Sequence, residues 1–115
     1  MSNILEDTQF LMKKYKIKAN KALGQNFLIN QNVVDQIVES SHITKQDVVI
    51  EIGPGLGTLT KELLENAGKV ICIELDKKMI KILADRFSLY ENFEVIHGDV
   101  LKVRLNKIIK EEKEK

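Results

Sequence analysis

The stretch Glu51-Ile52-Gly53-Pro54-Gly55-Leu56-Gly57 constrains this chain more than any other. It completes Asp47-Val48-Val49-Ile50, a short, β-branched and nearly continuous apolar run that reads as a strand of a parallel sheet covered on both faces. After it come Thr58, a candidate N-cap, and a helix whose apolar positions Leu59, Leu63, Leu64 and Ala67 share one face. Glycines between a strand and a helix let the backbone turn sharply and approach a bound ligand without Cβ collisions. A nicotinamide-binding fingerprint would carry its third glycine at position 58, which is Thr58, and a P-loop would end in Gly-Lys-Ser/Thr, which is absent. Both phosphate-cradling readings are thereby weakened.

The pattern continues past the loop. Gly68 punctuates the helix, Lys69 to Leu75 reads as a second apolar strand, and Asp76 is placed to cap a helix through Met79, Ile80, Leu83 and Phe87. Phe93 to His97 is a third, shorter strand, so the order from residue 47 is strand, helix, strand, helix, strand, half of a doubly wound α/β sheet. Upstream, Val33, Val34, Ile37, Val38 and Ser41 fall on one helical stripe that Asn30 or Asn32 can cap. Asn3 to Tyr15 reads as a short helix followed by an irregular arm. The tail from Leu105 to Lys115 reads as a frayed surface helix. The chain divides into 1–29, helix and arm, and 30–115, the sheet half.

Two carboxylates follow the strands that flank this loop. Glu74 ends the second strand 21 positions beyond Gly53, close to the spacing at which a carboxylate reaches both hydroxyls of a ribose. Ribose without pyrophosphate points to adenosine. Asp99, in His97-Gly98-Asp99-Val100, falls on the same carboxyl edge, where it can accept from an adenine amino group. Taken singly, Glu74 has the alternative reading of a solvent-facing strand-end residue and Asp99 that of a turn former. Glu51 and Asp76 are open between ligand contacts and a loop brace or helix cap. His97 reads as a strand-end residue, since no second histidine or cysteine lies at metal spacing, and no metal is expected.

A chain of 115 residues with a formal net charge of +1 is sized for one compact unit and carries no global polyanion-binding signature. Any nucleic-acid contact must be local, and Lys13, Lys14, Lys16, Lys18 and Lys21 around Tyr15 read equally as an RNA-phosphate cluster or as a solvated segment. The single cysteine, Cys72, excludes an internal disulfide and reads as buried filler in a cytoplasmic protein. No segment reaches the ~18 uninterrupted apolar residues of a membrane span.

Gly24-Gln25-Asn26-Phe27-Leu28, Glu51-Ile-Gly-Pro-Gly-Leu-Gly57, Ile73-Glu74-Leu75-Asp76 and Gly98-Asp99-Val100 together resemble the successive cofactor motifs of ribosomal RNA adenine N6-dimethyltransferases. The resemblance implies part of a Rossmann-like class I S-adenosylmethionine-dependent methyltransferase, with about three parallel strands and flanking helices. It implies that Gln25, Asn26 and Leu28 fold over the methionine end of S-adenosylmethionine, that Gly53 and Gly55 touch it through backbone, that Glu74 holds the ribose and that Asp99 holds the adenine. The proline and leucine of the loop look more like the small-subunit enzymes, which implies 16S rRNA and two adjacent adenosines near its 3' end. The family's Asn-Leu-Pro-Tyr-like target-base motif is not in this sequence, whose only proline is Pro54. The expectation is therefore a front half of the domain with no catalytic residues, inactive alone and prone to self-association through its open sheet edge. The alternatives are a large-subunit (23S) adenine methylase of the macrolide-resistance type and a non-catalytic RNA-binding or ribosome-assembly module.

Overall fold

Parallel strands need a crossover to join them, and each successive pair in this chain is separated by a helix. The structure, a computed structural model, describes residues 4–16, 31–102 and 104–115. Gln25, Asn26 and Leu28, with Lys18, Lys21 and Asn30, lie outside the described residues. The elements are α1 (Ile4–Lys14), α2 (Gln31–Ser41), β1 (Val48–Ile52), α3 (Thr58–Asn66), β2 (Lys69–Glu74), α4 (Lys77–Arg86), β3 (Phe93–His97) and α5 (Leu105–Lys113). The strands form one sheet in the order β1-β2-β3, parallel throughout, with Ile50 beside Ile71 and Cys72 beside Val95.

β2 is the central strand, and Val70, Ile71, Cys72 and Ile73 are all at most 2% exposed. On the face of Val70 and Cys72, the strand packs with Leu63, Leu64 and Ala67 from the α3 segment and with Leu83 and Phe87 from the α4 segment. A second cluster joins α1 to the same layer through Leu11, Leu56, Met79 and Ile82. β1 departs from the expectation of a strand covered on both faces, because Val48 is 45% and Ile52 56% exposed. It has a hydrogen-bonded neighbour on one side only, so its apolarity matches β2 while its burial does not. The α2 stripe is likewise covered in part, with Val34 buried, Val38 half-buried and Val33 and Ile37 exposed.

One cap meets expectation and one does not. Asp76 caps α4 as its position predicts, its carboxylate accepting from the Lys78 backbone N–H at 2.9 Å. Thr58, by contrast, is the first helical residue of α3 and makes no cap; the N-cap is Gly57, at φ 83°, without a side-chain bond. The left-handed turn swings the chain into the helix one residue early, and the Gly57 carbonyl accepts from Lys61 N–H at 3.1 Å. Asn32 lies inside α2 and is not its cap. Gly68 lies between the α3 C-cap, Ala67, and β2, as expected, and also serves close approach: a Cβ there would collide with the Lys45 carbonyl oxygen, and its N–H donates to Asp47 O at 2.9 Å. α5 is held at its end by Glu112, which pairs with Lys69 at 2.7 Å, so the tail is less free than its charge pattern implies.

Candidate cofactor site

Two backbone hydrogen bonds align the three strand ends. Gly53 N–H donates to Ile73 O and Gly98 N–H to Glu74 O, both at 2.9 Å, so the glycine loop and the turn bearing Asp99 flank the end of β2. Gly53, Gly55 and Gly57 all take positive φ (65°, 59° and 83°), and the space beside the Gly53 Cα is open to 4 Å. That clear approach fits a ligand lying against the loop backbone.

Glu74 is the polar centre of this edge. It is 5% exposed, with one carboxylate oxygen accepting from Gly55 N–H at 3.2 Å and the other from Asp76 N–H at 2.9 Å. The side chain therefore fastens the glycine loop to the first turn of α4, where the helix N-terminus favours a negative charge. Neither a solvated strand-end carboxylate nor a free one describes it. Asp99 uses one carboxylate oxygen to accept from Leu101 N–H at 2.9 Å, which makes it a turn former at the position expected of an adenine contact. His97 is an exposed strand-end residue whose Nε2 lies 3.1 Å from Leu75 O.

Beneath the loop, Glu51 points into the protein. Thr60 Oγ1 donates to its carboxylate, and the Cys72 thiol lies 3.7 Å from the same oxygen. Burial pushes the Glu51 carboxyl above its ordinary range, with hydrogen bonds from Thr60 and Cys72 opposing the shift, and the Cys72 thiol is driven up strongly, mainly by the same burial. Because the folded state holds the Glu51 proton more tightly than the unfolded chain, its stabilising contribution is complete below the ordinary carboxyl range. That contribution is lost as pH rises through the raised value. Glu51→Gln, which keeps an acceptor for Thr60, is expected to flatten this dependence and to raise the melting temperature at neutral pH. Thermal melts from mildly acidic to neutral pH check it, and a mutant curve parallel to wild type would refute the assignment.

Two long-range anchors of the α4 segment are invisible to spacing. Arg86, at the end of α4, donates to Leu56 O at 2.7 Å across 30 positions, its guanidinium lying 5.1 Å from the Phe87 ring centroid. Burial lowers its pKa from the usual guanidinium value, with Asp7 opposing. Tyr15, after α1, donates its phenol to Asp85 of α4, and this hydrogen bond is the main cause raising the tyrosine pKa. Lys13, Lys14 and Lys16 are exposed beside it. Among the described residues no cluster of three His, Cys, Asp or Glu is arranged to hold a metal, and no helix is long and apolar enough to cross a membrane.

A family model described as "Ribosomal RNA adenine dimethylase" matches residues 16–115. The chain belongs to this family. A curated relative from Clostridium botulinum (strain Okra / Type B1), "Ribosomal RNA small subunit methyltransferase A", is 52% identical over 103 residues, which cover 90% of this chain and 38% of the relative. The chain thus spans under two-fifths of the length of that relative. Among solved structures, a dimethyladenosine transferase from Plasmodium falciparum superposes with a TM-score of 0.61 at 41% identity, over 64% of this chain and 28% of that one. The 23S rRNA methyltransferase ErmE superposes with a TM-score of 0.64 at 35% identity, over 68% and 32%. The rRNA adenine dimethylase family and the α/β methyltransferase fold read from the four motifs are both shown.

Proposed function

We propose that this chain is the S-adenosylmethionine-binding portion of an rRNA adenine N6,N6-dimethyltransferase acting on two adjacent adenosines near the 3' end of 16S rRNA. The observation that carries this reading is Glu74, buried at the centre of three aligned strand ends and bonded to the glycine loop. S-adenosylmethionine, when bound, supplies a methyl group on a sulfonium, and its transfer to a neutral exocyclic amine demands alignment more than a strong base. Glu74 holds the ribose, Asp99 the adenine amino group, and Gly53 and Gly55 present backbone close enough to exclude water. Gln25, Asn26 and Leu28, which lie outside the described residues, are assigned to the methionine end by the family resemblance alone. No residue of this sequence supplies the Asn-Leu-Pro-Tyr-like target-base motif, so the chain by itself positions the cofactor and transfers nothing. Small-subunit rRNA is favoured over large-subunit rRNA by the name of the 52% identical relative, against 35% identity to the 23S enzyme.

Calorimetric titration with S-adenosylmethionine and S-adenosylhomocysteine tests this. Saturable binding by wild type, weakened roughly 10- to 100-fold by Glu74→Ala, is the expected result for loss of a charged hydrogen-bonding group of ~1.5–3 kcal/mol. Undiminished binding by a Glu74→Ala protein with a wild-type circular dichroism spectrum, or methyl incorporation into 30S subunits by the pure chain, would overturn it.

A further inference from the structure

The packing of the end of α1 beside α4 puts Tyr15 in one groove with Lys78 and Lys81, residues far apart in sequence. Lys13, Lys14 and Lys16 follow one another around the end of α1, whereas Lys77, Lys78 and Lys81 occupy the first half of α4. All six are exposed. The phenol of Tyr15 donates to Asp85, which docks the end of α1 onto α4. Tyr15, Lys78, Lys81, Ile82 and Asp85 then line a single groove of about 480 Å³. Positions 78, 81, 82 and 85 fall on one helical stripe, so Lys78 and Lys81 project along the same side as the docked tyrosine. Lys14 Nζ lies 5.2 Å from the centroid of that ring.

The acidic groups near this face are occupied: Asp85 accepts from Tyr15, and Asp76 caps its own helix. Among the described residues the ion pairs gather elsewhere, around Glu112 with Lys69 and Lys115 and between Lys69 and Glu94. Both carboxylates keep their charge in these bonds, and the six exposed lysines still outnumber the two aspartates, which leaves an excess of positive charge beside an aromatic ring.

We infer, building on the rRNA-modifying reading above, that the α1–α4 face binds an RNA backbone, with Lys78 and Lys81 as phosphate contacts joined to Lys13, Lys14 and Lys16. Lysine ammonium groups release condensed counterions from a nucleic-acid backbone, and a neighbouring aromatic ring accommodates an unstacked base. A membrane surface fits the α4 lysines less well, because an interfacial helix needs apolar side chains to insert, and Met79, Ile82 and Leu83 of α4 are at most 2% exposed. The location also serves the chemistry. α4 begins three residues after Glu74, so a strand held along Lys77, Lys78 and Lys81 reaches the rim of the cofactor site.

The test is fluorescence anisotropy of a labelled RNA hairpin with the 115-residue chain, between about 50 and 200 mM salt. Wild type is compared with the double variant Lys78→Ala/Lys81→Ala and with a control on α5, Lys107→Ala/Lys110→Ala. Loss of two phosphate contacts should lower the slope of log K against log salt by about 1.4–1.8 and weaken low-salt binding roughly tenfold or more, the control staying near wild type. Equal slopes for wild type and the α4 variant, an equal loss in the control, or absence of RNA binding by wild type would each overturn the inference. So would an α4 variant that loses binding to phosphatidylserine vesicles while retaining RNA. Cofactor binding, followed by calorimetry on the same α4 variant, separates the two readings: intact binding with unchanged RNA slopes removes the basic face alone, whereas absent cofactor binding in wild type removes the methyltransferase reading.

Discussion

Replacing Phe87 by alanine is expected to cost about 3–5 kcal/mol, the largest single effect in this chain. The ring is 2% exposed, stands edge-on to Tyr90 with centroids 5.8 Å apart and tilts against Phe93 at 5.3 Å. It also belongs to the cluster joining Leu63, Leu64, Val70, Cys72 and Leu83, so its removal opens a cavity where the α3 and α4 segments meet the sheet. Domains of this kind are stable by about 5–15 kcal/mol in total, which makes the loss a large share of the whole. Urea denaturation followed by circular dichroism reads it out. A midpoint within error of wild type would show that Phe87 is not the pivot its burial indicates. Phe87→Leu, which refills most of the space, should cost much less.

Gly57→Ala should destabilise by about 2–5 kcal/mol through two separable effects. The residue sits at φ 83°, where a side chain costs roughly 1–2 kcal/mol, and its Cβ would lie 2.6 Å from the Phe87 ring and 2.9 Å from a Leu83 methyl. Overpacking of this kind adds about 1–3 kcal/mol. Because one of the two colliding groups is Phe87, a double-mutant cycle with Phe87→Ala is diagnostic. The double variant should be more stable than the sum of the single losses by about 1–3 kcal/mol, since the alanine methyl then enters the vacated space. Strict additivity would mean that backbone strain alone explains the glycine. The same substitution should also weaken cofactor binding, because Gly57 fixes the loop whose Gly55 N–H meets Glu74.

Much of this architecture is legible in the amino-acid sequence. The alternation of apolar strands and amphipathic helices is a local, periodic property, and every element from β1 to β3 lies where periodicity places it. The glycine loop, Asp76 as a cap and the strand-end position of Glu74 are legible for the same reason: each depends on residues within a turn or two of one another. Thr58 misleads because a hydroxyl before an apolar helix is an ordinary cap signal, whereas the backbone of Gly57 has already begun the helix. β1 misleads because composition reports what a strand can bury, and only its place at the sheet edge decides what it does bury.

What the sequence by itself determined is the order of elements, the ligand-facing loop and, through four spaced motifs, the family. The tertiary structure alone decided that Glu74 is a buried brace rather than a solvated carboxylate, and that Glu51 faces Thr60 and Cys72 in the interior. It decided too that Arg86 holds the loop carbonyl across 30 positions and that Tyr15 brings α1 to Asp85 across 70. The physical reason is the range of the interactions. Helical and strand periods are written in neighbouring residues, while burial, carboxylate titration and a shared basic face arise only when distant segments pack against each other.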